Sequence, residues 1–187
     1  MDAGAHFQKS DFQVHTPRDL SWSGVGAVTE NERRAYAAEF VAACREKGLQ
    51  AVAITDHHDF AFFRYIRDAA ANETDAQGKA LDPALRLVVF PGMELTIGIP
   101  CQALLILDAD FPIEFLPLVN GALGITPVDP ALAKHGVIHK LGIVELEKLY
   151  EDLNKSESLR NHFIVLPNVS NSGHQSIFVY GFVWKYF

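Results

Sequence analysis

The sequence has little cysteine, no excess of basic residues and no long apolar run. Its two cysteines, Cys44 and Cys101, are too few for a disulfide framework and lack the paired spacing of a zinc ribbon. Sixteen Lys and Arg against 23 Asp and Glu give a formal charge of −7, which excludes a highly basic protein that wraps nucleic acid. No window approaches the roughly 18 uninterrupted apolar residues of a membrane span. We therefore expect a cytoplasmic protein that does not bind membranes.

The 187 residues supply enough apolar material for one core, since 49% of them are hydrophobic and 21% are charged. We therefore expect a single domain over residues 1–187. Short apolar runs alternate along the chain with stretches of helical spacing. The predicted strands are residues 11–15, 51–55, 87–90, 103–107 and 162–166, and the predicted helices run from Thr29 to Gly48, from 60 to 72 and from 143 to 153.

This alternation of strand and helix predicts a parallel α/β architecture, either an open doubly wound sheet or a barrel. Polar residues decide between the two, because several stand at or just past the end of a different predicted strand, where α/β barrels gather their active-site groups. We therefore favour a barrel. These residues are His15, Asp56, His57, Glu94 and Asn168.

A cluster of His, Asp and Glu from several strand ends is the donor set that Zn, Mn or Fe needs without thiolate ligands. Each residue also has an ordinary structural interpretation. His15 could be a hydrogen-bonded core residue, and Asp56 could cap the following helix beside solvated imidazoles. Arg18 follows the first cluster and could contact a phosphate group, or it could form a surface ion pair with Asp19.

Three motifs in order resemble the PHP (polymerase and histidinol phosphatase) superfamily of metal-dependent phosphoesterases. They are Asp-Phe-Gln-Val-His-Thr at residues 11–16, Ala-Ile-Thr-Asp-His at 53–57 and Pro-Gly-Met-Glu at 91–94. The resemblance implies a (βα)7-like barrel whose mouth holds two or three metals, which bind a phosphate ester and activate water. It also implies metal-ligand or catalytic roles for His15, Asp56, His57 and Glu94.

The chain departs from the pattern of that superfamily at several positions. Gln13 replaces the first imidazole of the first motif, Gln102 stands near the place of another, and Asn168 replaces a third. His174 could compensate from a loop. The last Asp-x-His motif has no counterpart, which predicts that the final barrel strands are missing. Because neutral amides bind metals weakly, we expect one to three divalent ions of the Mn, Zn or Mg type, with Mn or Mg favoured.

The expected function is hydrolysis of a phosphomonoester or phosphodiester by metal-activated water, with nucleic acid among the candidate substrates. The alternative is a degenerate PHP domain that serves as a structural or nucleic-acid-sensing module. A metal-dependent amidohydrolase is a third interpretation. The first motif also resembles the branch that precedes an AAA-type or SMC-like ATPase. No P-loop occurs in the chain, so such an ATPase would lie outside it. The apolar segment 177–187 predicts an interface with a downstream domain or with a second copy.

Overall fold

The computed structural model describes residues 8–20, 22–98, 102–134, 141–143 and 145–167. The predictions for Asn168, His174 and the apolar segment 177–187 lie outside these residues. Within them, none of the helices has both the length and the apolar character that crossing a lipid bilayer requires.

Five strands and four α-helices make up the described part of the chain, and the sequence predicted all of them except the third helix. That helix is short and almost entirely apolar, with Asn120 as its one polar residue, so its sequence shows no helical periodicity. The elements are β1 (Ser10–Val14), α1 (Glu30–Glu46), β2 (Ala51–Ile54), α2 (Phe63–Ala71), β3 (Val88–Thr96), β4 (Gln102–Leu107), α3 (Leu116–Leu123), α4 (Leu146–Asn154) and β5 (Phe163–Pro167).

The boundaries of α1 follow from capping residues that the sequence shows directly. Thr29 Oγ1 accepts a hydrogen bond from the Glu32 backbone at 3.3 Å, and Glu32 Oε2 accepts one from the Thr29 backbone at 2.9 Å. This reciprocal pair satisfies backbone donors that the first turn leaves without partners. Gly48 takes a φ of +69° just beyond the last turn, a conformation that glycine adopts without steric cost. The predicted helix is therefore confirmed.

The sheet has the strand order β1-β2-β3-β4-β5, and only its first three strands are parallel. The prediction of a parallel architecture is confirmed for these three and wrong for β4 and β5, since β3 pairs antiparallel with β4 and β4 antiparallel with β5. The reason is the connection between β3 and β4. Residues 97–101 are too few for a parallel crossover, which needs about a dozen residues.

β3 runs past Pro91 and Gly92, where the sequence predicted it to end. Its first half pairs with β2 up to Pro91, and its second half pairs with β4 from Gly92 onward. The missing backbone donor of Pro91 therefore falls where one ladder ends and the next begins, which the sheet tolerates. As a result, Glu94 lies within the strand rather than at its mouth.

The two faces of the sheet are covered differently. Buried residues of all four helices form the main core with one face, for example Val41 of α1 and Ile66 of α2 against Val52 and Met93. The opposite face carries a smaller apolar cluster without helix residues, made of Ala53, Leu104, Ile106, Phe90 and Leu166. In the described residues, the sheet is open, with β1 and β5 at its edges, and no closed barrel is formed.

Gly92 is required by close packing at the point where β3 changes its pairing partner from β2 to β4. Its replacement tests this part of the fold. A Cβ there would lie 2.8 Å from Thr55 Cγ2 and 3.0 Å from the Leu105 carbonyl oxygen. Thr55 cannot rotate away easily, because its hydroxyl accepts a hydrogen bond from Val14 N at 3.0 Å. We expect Gly92→Ala to lower the free energy of unfolding by about 1–3 kcal/mol, measured by urea denaturation.

Gly121→Ala is the matched control, since it lies inside α3 and a Cβ there meets nothing within 4 Å. Alanine has the higher helix propensity, so this variant is expected to be neutral or slightly more stable. Equal stability of the two variants would show that Gly92 is not a packing requirement.

Candidate metal centre

Three chain segments converge at the carboxyl ends of the parallel strands. The loop after β1 supplies His15, the segment after β2 supplies Asp56 and His57, and β3 supplies Glu94. Backbone hydrogen bonds fix the segment after β2 against β3, since Glu94 N donates to Asp56 O at 3.2 Å and His58 N donates to Glu94 O at 3.3 Å. Four of the five residues that the sequence predicted at converging strand ends are therefore brought together, and the fifth, Asn168, lies outside the described residues.

Two imidazoles lie between two carboxylates. His15 Nε2 is 3.0 Å from Glu94 Oε2, and His15 Nδ1 is 3.0 Å from Asp19 Oδ2. His57 repeats the arrangement, with Nδ1 at 2.8 Å from Asp19 Oδ2 and Nε2 at 3.7 Å from Glu94 Oε2. The two rings are stacked, with centroids 5.0 Å apart and planes only 6° from parallel. Each ring therefore spans the same two acidic groups.

Asp19 is the site residue that the sequence analysis missed. Its side chain is fully buried, and its Oδ2 also accepts a hydrogen bond from His57 N at 2.9 Å. A turn carries it back toward His15, because Asp19 N donates to Thr16 O at 2.9 Å across a segment with proline at its second position. The sequence signal that could have identified Asp19 is this turn, which places a carboxylate four residues after a histidine.

Asp56 lies beneath the imidazoles and is 1% exposed. Its two carboxylate oxygens accept hydrogen bonds from Thr16, one from the backbone at 2.7 Å and one from the hydroxyl at 2.6 Å. Burial raises the pKa of Asp56 to about 7, although the hydrogen bonds from Thr16 act in the opposite direction. The helix-cap interpretation of Asp56 is wrong, because the N-cap of α2 is Phe62 and makes no side-chain capping bond.

The charge of His15 is set by its acidic neighbours. Burial alone would lower the pKa of this imidazole, but the contacts with the carboxylates of Asp19 and Glu94 raise it to about 10. His15 is therefore a cation at neutral pH in the metal-free protein. Its side chain keeps 24% of its surface exposed, which leaves a path to solvent.

Two glutamines complete the cluster. Gln13 Nε2 donates to Glu94 Oε2 at 3.3 Å, and Gln102 Nε2 lies 3.0 Å from His57 Nε2. The amides that replace two imidazoles of the PHP pattern are therefore present at the site, and they form hydrogen bonds with the candidate ligands. Gln102 is placed by the antiparallel pairing of β3 with β4, in which it pairs with Thr96 two residues beyond Glu94.

The donor atoms fit a divalent metal ion. One ligand atom from each of His15, His57 and Glu94 lies within 4.8 Å of the others, and the same holds for His15 with Asp19 and Asp56. Although His15 Nδ1 is close to Asp19, its alignment is too poor for a hydrogen bond. Mixed imidazole and carboxylate donors of this kind suit Zn or Mn.

Arg18 does not lie on the surface, and its ion pair is not with Asp19. It is fully buried, and its Nε donates to Asp59 Oδ2 at 2.7 Å. Its other donors contact backbone oxygens of the loop before residue 135, including Leu132 O at 2.5 Å and Asp129 O at 2.8 Å. The surface-pair interpretation is therefore wrong, whereas the phosphate contact stays a prediction.

His58, the second imidazole after Asp56, turns away from the cluster. It adopts a positive φ of 53°, and its Nε2 accepts a hydrogen bond from Thr96 N at 2.9 Å. This bond fixes the backbone of β3 two residues beyond Glu94. The imidazoles of His57 and His58 are thus buried, and the interpretation that they are solvated is wrong.

Comparison with known proteins adds little to this geometry. No family model matches the sequence, and no curated protein matches it. One similar solved structure is a protein from Bifidobacterium adolescentis that is provisionally described as a metal-dependent phosphoesterase. It is 20% identical, over 62% of this chain and 34% of that chain, with a TM-score of 0.34. The chain therefore spans about a third of that protein, and the likeness defines neither a fold nor a family.

The raised pKa of His15 predicts that metal binding depends on pH. A protonated imidazole cannot act as a ligand, so a metal must displace the proton that His15 holds up to about pH 10. We expect the apparent affinity for Mn²⁺ to rise about tenfold per unit between about pH 7 and 8.5, measured by competition with a chelating dye. Below pH 7 the slope steepens, because Asp56 is then protonated as well.

His162→Asn is the control for this measurement, because the His162 side chain is half exposed and pairs with Asp108, outside the cluster. It is expected to leave both the affinity and its slope unchanged. An affinity that stays constant over this range would mean that His15 does not bind the metal.

Proposed function

We propose that this chain carries the metal centre of a hydrolase that acts on phosphate esters. The observation that carries the proposal is the convergence of two imidazoles and three carboxylates, from three separate segments, at the carboxyl ends of parallel strands. The motifs that resemble the PHP superfamily agree with it, because each of their intact residues belongs to this cluster. The members are His15, Asp19, Asp56, His57 and Glu94.

The protein would hold the ion mainly through His15, His57 and Glu94, with Asp19 orienting the imidazoles. Because Nδ1 of His57 donates to Asp19, the lone pair of His57 lies on Nε2, on the side of Glu94. A divalent ion bound there polarises phosphate oxygens and lowers the pKa of water. The residues of the cluster fix the orientation of the side chains that act as ligands. They also keep the negative charge of the carboxylates on one side of the substrate.

The ligand set favours manganese or magnesium over a tight zinc site. Beyond the two imidazoles, the potential ligands of the cluster are carboxylates, because Asp19 and Asp56 lie close to His15 as Glu94 does. Oxygen donors of this kind suit the harder ions. We propose one or two such ions. Phosphomonoesters and phosphodiesters, including nucleic acid, are the proposed substrates.

A second candidate function is a metal-free structural or nucleic-acid-sensing module. The observation that favours it is the amide of Gln102, which lies against the Nε2 lone pair of His57 that a metal would use. Gln13 likewise donates to the Glu94 oxygen that faces both imidazoles. These bonds satisfy the cluster without an ion, so the amides could have replaced the metal rather than retuned it.

The remaining expectations stay predictions. They are the closure of a barrel, the cytoplasmic location, a downstream ATPase and an interface through residues 177–187.

Replacing Glu94 tests the proposal directly. Glu94→Gln removes the charge that faces both imidazoles while it keeps the shape of the side chain. We expect Mn²⁺ affinity to fall about tenfold or more and hydrolysis of bis-p-nitrophenyl phosphate to be lost. Metal content is measured by elemental analysis and turnover by release of p-nitrophenol.

Glu39→Gln serves as the matched control, because Glu39 is exposed on α1 and outside the cluster. Gln102→His then separates the two candidate functions, since it restores an imidazole near the position where the PHP pattern has one. A wild type that binds no metal and hydrolyses nothing contradicts the hydrolase proposal. Metal binding that appears only in Gln102→His would establish the degenerate module instead.

A further inference from the structure

Two buried arginines donate hydrogen bonds to the same backbone oxygen. Arg18 and Arg33 are 0% and 4% exposed, and both donate to the Leu132 carbonyl, at 2.5 Å and 3.0 Å respectively. Arg18 directly precedes Asp19 in the chain, and its partner Asp59 lies two residues beyond His57. Both members of the Arg18–Asp59 ion pair therefore lie within two residues of the cluster along the chain.

Around Arg18 and Arg33, the carboxylates carry less negative charge than the two guanidinium groups carry positive charge. Among the described residues, Asp59 is the carboxylate that pairs with Arg18, and Arg33 has none within ion-pair distance. Arg33 packs instead against the rings of Phe62 and Tyr65, at 5.9 Å and 5.8 Å from their centroids. Buried charges are costly unless they are paired, so this pair of cations would be stabilised by an anion.

The segment that supplies the carbonyl, residues 126–134, is here called the strap. None of its side chains is buried, and Leu132 itself is 50% exposed. The strap is held through backbone oxygens at Val128, Asp129 and Leu132, which face the arginines, and through Lys134, which donates to Trp22 O at 2.5 Å. Because the strap buries no apolar side chain, its release from the arginines costs mainly the free energy of these hydrogen bonds.

We propose that Arg18 and Arg33 form a binding site for the phosphate group of the substrate, and that the strap covers this site in the free protein. The carbonyl oxygens of the strap occupy the positions that phosphate oxygens take. A bond from guanidinium to phosphate is about twice as strong as one to a neutral carbonyl, so a phosphate group displaces the strap. The identity of the anion rests on the proposed function, whereas the site itself does not.

The test measures inorganic phosphate binding to the metal-free protein by titration calorimetry at constant ionic strength. Metal is removed by a chelator, so that phosphate cannot bind through an ion. We expect saturable binding that Arg33→Gln weakens about tenfold or more. Arg34→Gln is the matched control, since Arg34 is the next residue of α1 and forms an exposed ion pair with Glu30. It is expected to bind phosphate as the wild type does.

A second variant acts on the strap without touching the arginines. Pro127→Gly with Pro130→Gly makes the closed strap more costly in conformational entropy, so phosphate binding is expected to become about fivefold tighter. With Trp184→Phe, Trp22 is the single remaining tryptophan, and its emission reports release of the strap through the lost Lys134 contact.

Three results would overturn the proposal: no saturable phosphate binding, the same signal with chloride, or equal loss in the Arg33 and Arg34 variants. A fourth result, unchanged phosphate affinity in the strap variant, overturns the proposal even if Arg33→Gln does not fold. Metal binding by the wild type is measured separately. A protein that binds Mn²⁺ but not phosphate disproves this site alone, and one that binds phosphate but not Mn²⁺ disproves the metal centre alone.

Discussion

Reciprocal hydrogen bonds between two buried aspartates and the loops that face them hold the centre of this protein together. Thr16, after β1, donates twice to Asp56, while His57, after β2, donates twice to Asp19. Each loop therefore supplies the donors for the carboxylate of the other. A buried carboxylate without such donors would be strongly destabilising, so the two loops can keep their charges only in this mutual position. The imidazoles are placed as a consequence.

The same arrangement creates a demand for positive charge. Asp19 and Glu94 each lie close to both imidazoles. In the metal-free protein, His15 balances their negative charge because it holds a proton up to about pH 10. A raised histidine pKa stabilises the folded state below the ordinary pKa of about 6.5, and this contribution is lost as the pH rises toward 10. A divalent ion supplies the charge without that loss. In the proposed metal centre, proton and metal are therefore alternative occupants of one electrostatic site.

Local rules explain which features could be predicted from the sequence. The capping box of Thr29 and Glu32 and the apolar runs of β2 and β4 act over a few residues, so their elements were found. Convergence of His15, His57 and Glu94 followed from parallel pairing of the first three strands. The burial of Arg18 depends on a loop more than a hundred residues away, which no local pattern shows. The antiparallel β4 was missed although the short connection before it excluded a crossover.

The amide of Gln102 sets how strongly the centre can hold an ion. It lies against the His57 lone pair, so a metal must first displace a neutral hydrogen bond, which contributes about 1 kcal/mol. This free energy is small compared with the attraction between a divalent ion and two carboxylates in a buried site. Leu104 pairs with Glu94 and places an apolar side chain beside it. In the proposed metal centre, the amides therefore weaken the binding of an ion. Tight binding of a third ion would need further imidazole ligands, which Gln13 and Gln102 do not supply.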